Sequence, residues 1–135
     1  MRRVFADSGF YIALLSRQDA HHHLARQQYR EGQFGLFVTT TAVLGELANL
    51  LSSTSTRGRC EVFIVRLRAR KDTRIIESEP GQFWRGLKLY GERPDKEWSL
   101  TDCISFIVMS DEGLTEALTG DHHFEQAGFT ALLLH

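Results

Sequence analysis

Four acids set far apart in the chain, Asp7, Glu46, Asp102 and Asp121, are the residues that could do chemistry. Each also has an ordinary structural reading. Asp7 follows the apolar run "RVFA" and precedes "SG", which suits a turn or a helix N-cap. Asp102 stands three residues after Ser99 in "SLTDCISF", the spacing of a capping box, although Glu or Gln is the more usual partner there. Asp121 precedes "HHFEQAG" as an N-cap would, and Glu46 in "TAVLGELANLLS" fits a solvated helix position. Taken singly, the four need no function.

Taken together they do. Two unit charges about 4 Å apart repel by roughly 4 kcal/mol at an effective dielectric near 20. A cluster of carboxylates therefore holds protons or holds cations. Carboxylate and water ligands suit magnesium or manganese rather than zinc, and no His or Cys falls at metal-ligand spacing. The chemistry natural to such a site is attack on a phosphodiester, with metal activating water and neutralising charge on the leaving oxygen.

The elements that must position these acids alternate strand with helix. "RVFAD" (3–7) reads as a buried strand, followed by a short helix at 9–16 and a second helix at 19–32 opened by Asp19 and closed by Gly32. "GLFVTT" (35–40) is a second strand. In helix 41–52, Val43, Leu47, Leu50 and Leu51 share one face. Helix 57–71 turns Cys60, Ile64 and Leu67 inward, and "TRIIES" (73–78) is a third strand. A weak helix at 81–92 and a loop at 93–95 precede helix 99–111. A strand near 116–120, a short turn or helix after Asp121, and a last strand at 129–134 complete the order. This alternation predicts an α/β fold with a parallel sheet covered on both faces and joined by right-handed crossovers. In an open parallel sheet, functional groups gather beyond the carboxyl ends of the strands. Asp7 and Asp121 end strands; Glu46 and Asp102 lie early in helices. All four are expected at the same end of the sheet.

The chain has 135 residues, read as a single domain over 1–135 and enough to bury roughly two-thirds of its unfolded surface. Cys60 and Cys103 lie in apolar helical stretches and are expected reduced and buried. The apolar run "FYIALL" is far too short to cross a membrane, and a soluble, cytoplasmic protein is expected. Net charge is −1, which advertises no global field for a nucleic acid. Between Arg57 and Arg74, however, seven basic residues face two acids. That stretch is either a solvated helix face or a surface that tracks phosphates.

The segments "VFADSGFYIALL", "TTTAVLGELANLL", "WSLTDCISFIVM" and "ALTGDHHFEQAGF" together resemble the PIN domain, and closely its VapC-type toxin ribonucleases. The resemblance spans essentially the whole chain, with all four acids in order and in context. It implies a three-layer α/β/α sandwich with a parallel sheet of about five strands. It also implies a Mg2+- or Mn2+-dependent endoribonuclease, leaving a 5′-phosphate and a 3′-hydroxyl. Carried over by residue, Asp7, Glu46, Asp102 and Asp121 become the catalytic, metal-binding set. Ser8 matches the small hydroxyl residue usual after the first acid, and Thr119 is a further accessory position; Gly9 stands where many relatives carry a polar residue. The implied partners are an RNA substrate, a cognate antitoxin whose tail plugs the acidic pocket, and a second copy in a homodimer. The role implied is the toxin of a type II toxin–antitoxin pair.

Rival readings are a PIN nuclease of housekeeping RNA maturation, or a catalytically silent module that binds RNA or protein. "DSGFY" lacks the second Asp, two residues on, that a haloacid-dehalogenase-type phosphatase needs. Arg59, Arg66 and Arg70 share a helical stripe and are candidates for RNA-phosphate contact. His21, His22 and His23 are consecutive and fan around a helix, so they cannot chelate one ion together. His122 and His123 adjoin Asp121, with substrate phosphate as their functional reading. Phe124 is expected to anchor the Asp121 loop in the core. Trp84 and Trp98 are expected in core or dimer packing, with stacking on unpaired bases as the alternative.

Overall fold

The computed structural model describes residues 1–77 and 79–134. Five parallel strands form one sheet: β1 (Arg3–Ala6), β2 (Leu36–Thr40), β3 (Thr73–Ile76), β4 (Glu116–Leu118) and β5 (Thr130–Ala131), in the order β3-β2-β1-β4-β5. Seven helices connect them among the described residues: α1 (Ser8–Leu15), α2 (His22–Glu31), α3 (Thr41–Leu50), α4 (Arg57–Ala69), α5 (Gln82–Glu92), α6 (Leu100–Glu112) and α7 (His122–Gln126).

Both faces of the sheet are covered, which explains why the central strands read as continuous apolar runs rather than alternating ones. On one face Phe37 of β2 stacks against Phe10 of α1 and Tyr29 of α2. Tyr11 of α1 meets Phe63 of α4 edge-on, at 5.5 Å between ring centroids. On the other face Phe5 of β1 packs against Phe124 of α7, which in turn meets Phe106 of α6. Phe124 is fully buried, as the anchor role requires. Trp98 is also buried, edge-on to Phe106, with its indole N–H donated to Gln126. Cys60 and Cys103 are buried free thiols.

The strand order reverses beside β1. The chain steps from β1 outward to β2 and β3, then returns to the other side of β1 for β4 and β5. A crevice opens at such a switch point beyond the carboxyl ends of the strands. β1 and β4 flank it, and Asp7 and Thr119 are the residues immediately after them.

Several expected boundaries move. Helix α2 begins at His22 instead of Asp19, because the Asp19 carboxylate accepts the His21 backbone N–H in a turn (2.8 Å). Strand β5 is only Thr130–Ala131, although Leu132 and Leu133 still donate backbone hydrogen bonds to Ala117 and Thr119. Leu50 does not join the buried face of α3: it is 61% exposed, and Leu44 is buried with Val43 and Leu47 instead. Ser78, the last residue of the expected third strand, and His135 lie outside the described residues. No helix among the described residues is long and apolar enough to cross a membrane.

Candidate active site

A cleft of about 450 Å3 opens at the switch point and takes in Asp7, Glu46, Asp102 and Asp121. Asp19 and Glu97 line it as well, while no lysine or arginine does among the described residues. A larger cavity of about 650 Å3 lies between α1 and α4, but its charged lining among the described residues is Arg17 and Arg59. The charge, not the volume, marks the site.

Asp7 occupies the N-cap position of α1, yet its side chain makes no cap hydrogen bond. Its Oδ2 accepts the Thr119 hydroxyl at 3.0 Å, and its Oδ1 is buried with no partner among the described residues. Burial pushes the Asp7 carboxyl up to about 7 from 3.8; Asp102 and Glu46 nearby add to the rise, and the Ser8 backbone N–H and the Thr119 hydroxyl oppose it. A buried carboxylate oxygen without a donor is costly, and a proton or a cation relieves it.

Glu46 reaches the same cleft from the second turn of α3, whose start is set by the Thr40 hydroxyl accepting the Val43 N–H. Ser8 donates its hydroxyl to Glu46 Oε1 at 2.5 Å. Gly9, behind it, lines the cleft without offering a side chain.

Asp102 does two jobs. The capping box is real: Ser99 Oγ accepts the Asp102 N–H at 3.0 Å, and Asp102 Oδ2 accepts the Ser99 N–H at 3.2 Å. The same side chain is buried against the cleft, and burial raises its carboxyl above the usual range, with Asp121 adding to the rise and the Ser99 N–H and His123 lowering it. Gly113, in the left-handed conformation at φ 69°, ends α6 at its far end. Asp121 caps α7, its Oδ1 accepting the His123 N–H at 2.8 Å. Thr119 ties the two sides together, since its hydroxyl also accepts the Asp121 N–H at 3.1 Å.

His123 is the residue that spacing along the chain did not disclose. Its Nδ1 lies 3.1 Å from Asp102 Oδ2 and 3.2 Å from Asp121 Oδ1. It therefore bridges two carboxylates, which corrects the expectation that no histidine has ligand placement. The sequence signal was present but local: His123 sits two residues after Asp121, and only the packing of α7 on α6 brings Asp102 to it. His21 lines the cleft too, its ring held against Gly120, where an added Cβ would come within 2.9 Å. His22 instead points inward, its Nδ1 2.7 Å from the Ala13 carbonyl oxygen.

The donor set fits a hard divalent ion: converging carboxylates, one of them with an orphan buried oxygen, and no lysine or arginine among the described residues of the lining. Arg59, Arg66 and Arg70 do not line this cleft. Arg59 donates to the Leu15 carbonyl at 3.2 Å, and Arg70, past the end of α4, grips Asp72 with two hydrogen bonds of 2.8 Å. Arg66 is exposed. Trp84, far from buried at 66% exposure, corrects the core-packing expectation for that residue.

Comparison with known proteins agrees with this geometry. The chain is 31% identical over 131 residues to the 23S rRNA-specific endonuclease VapC20 of Mycobacterium tuberculosis, covering 93% of this chain and 95% of that protein. The crystal structure of M. tuberculosis VapC20, described as a sarcin-ricin loop cleaving toxin, superposes with a TM-score of 0.86 at 27% identity, over 94% of this chain and 96% of that one. FitAcB from Neisseria gonorrhoeae shares the fold, with a TM-score of 0.62 at 16% identity over 95% of this chain and 94% of that one. Residues 4–130 match the PIN domain family, a span that runs from the first buried residue of β1 into β5. With Asp7, Glu46, Asp102 and Asp121 all inside that match, the chain belongs to the PIN domain family.

Proposed function

We propose that this chain is a divalent-metal-dependent endoribonuclease and the toxin of a type II toxin–antitoxin pair. The observation that carries the metal-dependent chemistry is the buried Asp7 Oδ1, without a partner among the described residues, in a cleft lined by six acids and, among the described residues, by no lysine or arginine. Asp7, Glu46, Asp102 and Asp121 would hold Mg2+ or Mn2+. Such an ion supplies an activated water and neutralises charge on the phosphate oxygens.

The chain's own groups do the rest. Ser8 and Thr119 fix the Glu46 and Asp7 carboxylates by hydroxyl donation. The capping bonds on Asp102 and Asp121 hold those side chains at the cleft before any ligand arrives. Near neutrality the Asp7 carboxyl retains a proton for part of the time, and loading the site with a cation would release it. Unfilled, the acidic cleft repels a phosphodiester, so substrate entry depends on the charge it holds.

The relationship to VapC20 makes 23S rRNA the first substrate to try. Arg59, Arg66 and Arg70 are proposed phosphate contacts beyond the cleft, Arg70 only if it leaves Asp72. A cognate antitoxin and a homodimer are proposed partners. Phe83, Trp84, Leu87 and Tyr90 expose an apolar face of α5, and Val62 and Val65 one of α4, of the kind protein partners cover. The cytoplasm is the proposed location.

The test is cleavage of 23S rRNA by the purified chain with Mg2+ or Mn2+, against a chelated control and a panel of unrelated RNAs. A discrete, metal-dependent cut leaving a 5′-phosphate is expected. Undiminished cleavage in chelator would contradict the proposal, and so would no cleavage of any RNA with either ion.

A further inference from the structure

From the position of His123 between Asp102 and Asp121, we infer that its imidazole is a nitrogen ligand of the metal site and biases the cleft toward Mn2+ over Mg2+. The inference rests on the metal-site reading above and deepens it.

The separations match those between neighbouring ligand atoms of one ion, and they are hydrogen-bond distances as well. In an octahedral shell, neighbouring ligand atoms stand about 1.4 metal–ligand distances apart, or roughly 3.0 Å for a distance of 2.1 Å. Nδ1 of His123 stands 3.1 Å from Asp102 Oδ2 and 3.2 Å from Asp121 Oδ1. One ion can therefore take Nδ1 as the cis neighbour of either carboxylate oxygen, and the Asp121, His122 and His123 ligand atoms all lie within 4.8 Å of one another. His123 is held for this: its backbone N–H is bonded to Asp121, and its side chain is only 19% exposed. His122, at 68% exposure, has an Nδ1 3.8 Å from the same Asp121 oxygen and offers a second, looser nitrogen.

A nitrogen donor changes the choice of ion. Mg2+ prefers oxygen ligands and keeps much of its water, whereas imidazole binds transition ions, including Mn2+ at the weak end of their series. Asp7 and Glu46 themselves offer oxygen alone, so the two acid pairs are chemically unequal. The orphan Asp7 oxygen is independent evidence that the cleft is built for a cation, apart from the His123 cluster itself.

The alternative is that His123 only donates a hydrogen bond to the two carboxylates and orients them. Two variants separate these roles. His123→Gln keeps an N–H donor but has no imidazole, and His123→Leu removes both. Metal binding is read by calorimetry on the full chain with Mn2+ and with Mg2+, and pulsed EPR of the Mn2+-loaded protein reads nitrogen coupling to the ion.

A ligand role predicts nitrogen coupling in the wild type that His123→Gln abolishes. It also predicts that both variants lose at least about tenfold in Mn2+ affinity, with Mg2+ affinity changing by roughly threefold at most. Mn2+ binding without nitrogen coupling, coupling that survives in His123→Gln, or equal losses for both ions would overturn the role of His123 and leave the nuclease reading standing. No binding of either ion to the wild type would overturn both.

Discussion

On one wall of the cleft, Asp7 and Glu46 take their hydrogen bonds from side-chain hydroxyls, and one Asp7 oxygen has no partner among the described residues. On the other wall, Asp102 and Asp121 accept backbone N–H groups at the starts of α6 and α7 and share an imidazole. The same residue type is thus spent differently. The second wall is assembled by folding itself, since its acids cap helices and would be needed there without any ligand. The first wall is left incomplete by folding: Asp7 sits at an N-cap position and does not cap. A structural role and a binding role are compatible for Asp102 and Asp121, whereas at Asp7 the Thr119 hydroxyl satisfies one oxygen and capping accounts for neither.

The largest effect expected from this contrast is at Asp7. Asp7→Asn should lower RNA cleavage by about 100-fold or more, the scale seen when a preorganised electrostatic group is removed. In chelator the variant should melt at or above the wild-type temperature, because an uncompensated buried charge is gone. Asp102→Asn should lose cleavage and part of the metal-induced shift too. Its cap survives, since an amide oxygen can still accept the Ser99 N–H. A melt in chelator that drops by many degrees for Asp7→Asn would show that the first wall is structural after all.

Proton linkage gives the next effect. Asp7 titrates near 7 in the folded chain and near 3.8 when unfolded, and Asp102 is also raised. Below the unfolded value both states are protonated and the full stability is present. Between 3.8 and about 7 the folded state holds a proton that the unfolded chain has lost, so stability falls as pH rises and levels off beyond 7. Melts of metal-free protein from about pH 5 to 8 should show this decline, and Asp7→Asn should flatten most of it. Stability that rises across that window would contradict the burial of an uncompensated Asp7.

Thr119 joins the walls, donating to Asp7 Oδ2 and accepting from the Asp121 N–H. Thr119→Val keeps the shape and removes both bonds. A loss of about 1–3 kcal/mol in chemical denaturation is expected, with a partial fall in cleavage. Unchanged stability would mean that the two walls are not coupled through this hydroxyl.

The smallest effect lies outside the cleft. Charge reversal of Arg59 and Arg66 should reduce the slope of log affinity for RNA against log salt by about one unit per lost phosphate contact. An unchanged slope would make α4 a solvated face or a surface for a protein partner.

The contrast between the walls also shows what the sequence could disclose. Strands β1 to β3 and the four acids were legible because apolar runs end in acids and helices begin at Ser, Thr and Asp signals. Asp102 in "SLTDCISF" was readable as cap and ligand alike; the structure shows the cap and places the side chain at the cleft. His123 was legible only as a neighbour of Asp121 that could meet phosphate; its contact with Asp102 was not, because the two are 21 positions apart and meet only through the packing of α7 on α6. The cleft contributions of Asp19, His21 and Glu97 come from loops, where periodicity gives no direction. Leu50 misled for a related reason: helical spacing gives the face of a helix, but not how far the neighbouring element extends to cover it. Asp72 was visible two residues after Arg70, yet that a turn would close the pair could not be read from charge alone.

The central claim is that folding leaves an incomplete carboxylate site that a divalent ion completes. Free Mn2+ gives a sharp room-temperature EPR spectrum that is lost on binding, so titrating the metal-free chain counts the ions taken up directly. Uptake by the wild type and a large loss of uptake in Asp7→Asn are expected. A wild-type chain that leaves all the Mn2+ free, or an Asp7→Asn chain that binds as many ions as tightly, would contradict it.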